Sequence, residues 1–159
     1  MKLYLGDFDS FYEKEKENLK NESYFKQIEN KNFYYLIGEE SEYEHKKYFL
    51  IIEGENIYRL ISNFEHFYNL VDMNDLMNSI FEFCHEQKLK GKIEIEFINQ
   101  YKQFEDMGFK FERMSEVLNW ELVYDMEYDE ELDEENEIPG TERYEWVKHP
   151  TYIYSIDIK

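Results

Sequence analysis

The chain has 159 residues, enough to bury the core of one domain and too few for two full ones. Its apolar fraction is 42%, including 15 Tyr, 13 Phe and 2 Trp, which speaks against a disordered chain and for a core built from rings. With 37 acidic and 18 basic side chains the net charge is -19, a negative field that disfavours direct binding to nucleic acid, and no basic stripe is present to release phosphate counterions.

Charge of that sign makes a basic protein surface the natural partner. The single cysteine, Cys84, has no second thiol for an internal disulfide, so nothing points to an oxidising compartment. Met1 to Ser10 contains no apolar leader, and the longest strongly apolar run, Tyr48 to Ile52, is far too short to span a bilayer, so the expectation is a cytoplasmic protein without membrane contact. Alanine is absent while Lys, Asn, Glu, Ile and Tyr abound, the bias of an AT-rich genome of bacterial or phage type.

In chain order, Lys2 to Leu5 reads as a first strand, and Ser10 with Glu13 forms a capping box for a helix running to about Leu19. A short helix follows at Ser23 to Ile28. Phe33 to Ile37, Tyr48 to Ile52 and Ile57 to Phe64 are rich in aromatic and β-branched residues, with Gly54 and Asn56 as turn residues, and predict three consecutive antiparallel strands. Asp72 is a good N-cap for the clearest helix, which carries Met73, Leu76, Met77, Ile80, Phe83 and Cys84 on one face and is closed by Gly91. Ile93, Ile95 and Phe97 alternate with Lys92, Glu94 and Glu96, predicting a strand with one buried and one wet face.

A short helix from Asn99 to Met107, then strands at Phe109 to Met114 and Val117 to Tyr124, complete this part; Phe111 and Trp120 are expected to point inward. Asp125 to Glu137 holds nine acidic residues in thirteen and no basic one, which predicts a solvated, mobile loop. Beyond the turn at Pro139 and Gly140, Arg143 to Val147 and Tyr152 to Ile158 read as a pair of strands, the second with Tyr152, Tyr154, Ile156 and Ile158 on one side.

The segment Gln103-Phe104-Glu105-Asp106-Met107-Gly108-Phe109 resembles the "LYEKLGF" segment of the GCN5-related N-acetyltransferase family, and the element order from Met1 to Tyr124 is similar to that family's fold. The resemblance implies a mixed, mostly antiparallel central sheet flanked by helices, of class α+β. It also implies a Gly-rich turn for the pyrophosphate of acetyl-CoA at the start of the long helix, where backbone amides meet phosphate. On this chain that turn falls on Tyr68, Val71 and Met73, none of which matches the family's R/Q-x-x-G-x-G/A pattern, and Glu65, Asp72 and Asp75 add negative charge beside it. The family's general acid, a Tyr, falls on Phe104, which has no proton to give; Tyr101 and Tyr68 are the neighbours that would have to replace it.

Other constellations read as structural. His45, His66, His85 and His149 show no ligand spacing even with Glu82 or Glu86 beside His85, so no metal site is expected. Cys84 and His85, adjacent on a helix, point in different directions and cannot act as nucleophile and base. Tyr144, Trp146, Tyr152 and Tyr154 either close a core or form a recognition surface.

The expected organisation is an acetyltransferase-like α/β domain at residues 1–124, an acidic loop at 125–141 and a C-terminal strand pair at 142–159 packed on the same domain. The expected function is a non-catalytic acidic binding protein without a cofactor, an inhibitor of a basic or nucleic-acid-binding protein of phage anti-defence, anti-CRISPR or immunity type. Its partner-binding residues would be Asp125, Glu127, Asp129, Glu130, Glu131, Asp133, Glu134, Glu135 and Glu137. The alternative is an active N-acetyltransferase that uses acetyl-CoA through a diverged loop.

Overall fold

A computed structural model describes residues 2–38, 46–62 and 70–159. The elements run β1 (Leu3–Leu5), α1 (Phe8–Leu19), α2 (Ser23–Ile28), β2 (Phe33–Gly38), β3 (Lys47–Gly54), β4 (Ile57–Ser62), α3 (Leu70–Glu86), β5 (Lys92–Phe97), α4 (Lys102–Asp106), β6 (Lys110–Val123), β7 (Met126–Asp129), β8 (Glu134–Glu137) and β9 (Arg143–Asp157). Seven strands form one sheet in the order β1-β2-β3-β4-β5-β9-β6, and β7 with β8 forms a separate hairpin. Every pairing is antiparallel except β4 with β5, so the fold is α+β with a mixed, mostly antiparallel sheet.

Both faces of the sheet are covered. One cluster joins Leu50, Leu60, Ile93, Ile95 and Tyr154 to Met77, Ile80 and Phe83 of α3 and Phe104 of α4. The other joins Tyr35, Phe49, Ile51 and Ile61 to Ile28 of α2, with Phe8 and Phe11 of α1 packed against it. Coverage on two sides explains why β3 reads Tyr-Phe-Leu-Ile without alternation, all four residues being buried.

Helix ends differ from the sequence reading in ways that side-chain geometry explains. Asp7, not Ser10, caps α1: its carboxylate accepts from the Ser10 amide at 3.3 Å and the Ser10 hydroxyl at 2.8 Å, which starts the helix at Phe8. Asp72 lies inside α3, already helical at Leu70, and is not its cap. That helix is closed by Lys88 in the left-handed region, with the Leu89 amide donating to the Cys84 carbonyl at 2.8 Å. Gly91 serves β5 instead: at φ +115° it lies against the Asn56 backbone, where an added Cβ would come within 2.0 Å of the Asn56 carbonyl oxygen.

The expected strand pairs are two single long strands. β6 and β9 pair from Lys110↔Ser155 to Val123↔Arg143, across a register shift between Phe111 and Arg113. Pro150 does not break β9 because it lies beyond the last β5 pair, Phe97↔Tyr152, where no neighbour needs its missing N–H. β9 is thus a central strand of the sheet and not an appended pair. From Ser115↔Thr151 outward, β6 and β9 have only each other as strand partners, and they extend as a two-stranded arm whose base meets α2.

Candidate functional site

The acidic run sits at the end of this arm. Asp125 to Glu137 forms a hairpin and not an irregular loop, with pairs from Met126↔Glu137 to Asp129↔Glu134. Its three aspartates build it. The Asp129 carboxylate accepts from the Glu131 amide at 3.0 Å and the Leu132 amide at 3.3 Å, closing the turn. Asp133 adopts φ 50° and accepts from the Tyr128 hydroxyl, which holds that phenol proton more tightly than usual. Asp125 pairs with Arg143 at 3.0 Å, and its carbonyl accepts from the Ile138 amide at 2.9 Å, which fastens the hairpin to the arm.

The six glutamates do none of this. Glu127, Glu130, Glu131, Glu134, Glu135 and Glu137 are all exposed, and the described residues supply no hydrogen bond or ion pair to any of their side chains. Sequence alone separates them from the aspartates only by side-chain length, since the shorter Asp is the residue that closes turns on its own backbone.

Aromatic residues line the arm. Strand alternation places Leu118, Trp120 and Leu122 on one side of it with Tyr144, Trp146 and Lys148. Trp120 stacks on Tyr144 with ring centroids 6.0 Å apart and planes at 16°, and lies 5.3 Å from Trp146. Neither Trp120 nor Phe111 is buried as expected: Phe111 is exposed and Trp120 half-buried, because β6 is the last strand of the sheet and its outer length has β9 as its sole strand partner. The C-terminal aromatics divide by position. Tyr154 is in the core with Tyr152 packed against it, whereas Tyr144 is 58% exposed and Trp146 half-buried.

At the cofactor turn implied by the resemblance, Tyr68 lies outside the described residues. Val71 falls on the α3 backbone, and Met73 is buried in the core at 1% exposure. Phe104 is a core ring stacked on Phe97 at 4.3 Å, and Tyr101 packs edge-on against it at 5.2 Å. Cys84 is fully buried and its thiol is pushed up to about 11 by that burial, while His85 beside it is exposed; the pair cannot do thiolate chemistry. His149 Nε2 lies 2.6 Å from Glu121 Oε1, and His45 and His66 lie outside the described residues. Among the described residues no group of three or more His, Cys, Asp or Glu side chains is arranged to hold a metal ion.

Sequence reasoning missed a charged cluster under the sheet. Glu94, expected on a wet face, is buried: Arg113 donates to both its oxygens at 2.9 Å, and Arg59 donates at 3.3 Å. The Arg113 hydrogen bonds, ahead of every other cause, hold the Glu94 carboxyl below its ordinary value. Glu112 beside it accepts from Ser155 at 2.7 Å and Lys92 at 3.1 Å, and is lowered by those two bonds, Ser155 first. Part of the signal was available: Arg59 and Arg113 stand within predicted strands beside apolar residues, where a guanidinium on a covered side calls for a carboxylate partner. Next to this cluster, α2 and the sheet enclose a crevice of about 260 Å³, in which Lys26, Lys31 and Arg59 are balanced by Glu53, Glu96 and Glu116.

Comparison with known proteins returns no match to this chain from any family model, curated protein or solved structure. Among the described residues no helix is long and apolar enough to cross a membrane.

Proposed function

We propose that this chain is a non-catalytic acidic binding protein on an acetyltransferase-like fold, which acts by occupying a basic protein surface. Inhibition of a nucleic-acid-binding protein, of the phage anti-defence or immunity type, is the role that suits it. The observation that carries the reading is the hairpin with six exposed glutamates that have no partner among the described residues. Like charges so concentrated repel one another and cost folding energy, and a cationic surface relieves that cost and is steered toward it. The acetyltransferase likeness is supported by the element order and by the single parallel pair, β4 with β5, in an otherwise antiparallel sheet.

Catalysis is disfavoured by the start of α3. A pyrophosphate turn needs exposed backbone amides, whereas Val71 is within the helix and Met73 within the core. Acetyl-CoA should therefore show no binding by calorimetry; a dissociation constant in the low micromolar range would overturn the reading in favour of an active transferase. The hairpin is tested by immobilising the wild type beside a variant carrying Glu130→Gln, Glu131→Gln, Glu134→Gln and Glu135→Gln together. Basic proteins retained at low salt by the wild type and lost by the variant, as identified by mass spectrometry, support the reading; identical retention by both overturns it.

A further inference from the structure

The arm carries more than charge, and its rings are arranged to recognise one kind of cation. Trp120, Tyr144 and Trp146 form a contiguous aromatic face extended by Leu122, with Tyr144 58% and Leu122 44% exposed. An apolar partner is a poor match for such a face, because carboxylates surround it. Glu116 shares its side by alternation, Glu142 is exposed just before the start of β9, and the six hairpin glutamates continue beyond the tip. Nearby cations are already paired, Arg143 with Glu145 at 2.7 Å and Asp125 at 3.0 Å, and Lys148 with Glu116 at 3.9 Å.

A second observation shows what these rings accept. Lys26, reaching from α2, places its Nζ 5.0 Å from the centroid of the Trp146 ring, so one indole already holds a cation of the chain itself. The exposed Tyr144 ring, stacked on Trp120, has no such occupant among the described residues.

We propose that this aromatic face is a recognition site for arginine side chains of the basic partner. The proposal rests on the reading of the chain as an acidic binding protein and gives it a chemistry. A guanidinium is planar and weakly hydrated, so it can lie flat on Tyr144 and Trp120 while its N–H groups reach the rim carboxylates; an ammonium is compact and strongly hydrated, and loses more on leaving water. The acidic hairpin attracts either cation from a distance, and the rings select between them at contact.

The experiment uses the full chain and two short blocked peptides of equal length, one of arginine and one of lysine, at low ionic strength. Both tryptophans of the chain lie in the face, so its intrinsic fluorescence reports on the site directly. The expected result is a change in tryptophan emission with the arginine peptide, and tighter binding of that peptide by about fivefold or more. Tyr144→Ser, at an exposed position, should remove most of that preference by weakening the arginine peptide several-fold more than the lysine peptide; Trp146→Leu, read by anisotropy of a labelled peptide, gives an independent second variant. Equal affinity for the two peptides overturns the inference but leaves the acidic-binder reading standing, since charge alone then accounts for attraction. Failure of both peptides to bind overturns the two together.

Discussion

The inner and outer halves of the same two strands have opposite fates. From Tyr152 to Ser155, β9 lies between β5 and β6 and then continues along β5 to Asp157, and Ile153, Tyr154, Ser155 and Ile156 are buried. From Arg143 to Pro150 it has β6 alone, and no residue of that stretch is buried. Ring content does not distinguish the halves: Tyr144 and Trp146 alternate outside as Tyr152 and Tyr154 do inside. Neighbours decide burial: a flanking strand and the helices α3 and α4 cover one half, whereas the other has no second strand and meets only the edge of α2. Aromatic residues in the body therefore act on stability, and those on the arm are free to act on a partner.

The sharpest way to break this comparison is to delete a ring from each half. Phe104→Ala removes a core ring that stacks on Phe97 and touches Phe109 and Tyr154, and should destabilise by about 4 kcal/mol, the usual cost of a large core ring. Trp120→Ala removes a larger ring from the arm and should cost only about 1 kcal/mol, the scale of a surface aromatic contact. Urea unfolding of both variants decides the matter. A Trp120 loss as large as that of Phe104 would mean the arm is packed as core.

A smaller effect tests the charged half of the sheet. Glu94→Gln keeps the size of the side chain but leaves Arg59 and Arg113 facing a neutral amide, with an expected loss of about 2 kcal/mol, below that of a fully buried pair because Arg113 is half exposed. The pH dependence follows from the lowered carboxyl. Above the ordinary value of 4.5 the folded and unfolded chains both hold Glu94 charged, and its contribution is complete; as pH falls through the lowered folded value, the contribution is lost. Stability should fall below about pH 4.5, and the variant should show a shallower acid decline, though not a flat one, since Glu112 is lowered in the same way. Equal slopes would show that the Glu94 charge does not contribute in the folded state.

What the sequence disclosed and what it hid follow the same division. The apolar face of α3, the strands β2 to β4 and the inner side of β5 were legible because period and burial coincide there. Continuity of β6 and β9 was not, since Ser115, Glu116 and Pro150 look like breaks until the open edge of the arm is known. The buried Glu94 was hidden because alternation says which residues share a side, never what covers that side. The glutamates of the acidic run were legible as a charged feature, while their mounting on a hairpin depended on the turn made by Asp129 and the left-handed Asp133. The aromatic side of the arm was visible as a pattern, and its exposure was not.

The smallest predicted effect lies at the tip. Asp129 and Glu134 face each other in the hairpin register, a like-charged pair directly opposed across two strands, which weakens a ladder where an opposite pair would strengthen it. Glu134→Lys should therefore raise the hairpin's stability, lifting the thermal midpoint by roughly one degree and slowing amide hydrogen exchange from Met126 to Glu137. The same variant should weaken capture of basic proteins, since it inverts one charge of the surface that attracts them. Opposite signs from one substitution are what a charge kept for a partner, at a cost to the fold, requires. If the lysine instead speeds hydrogen exchange in the hairpin, Glu134 supports the folded chain, and the carboxylates have a structural reason to be there.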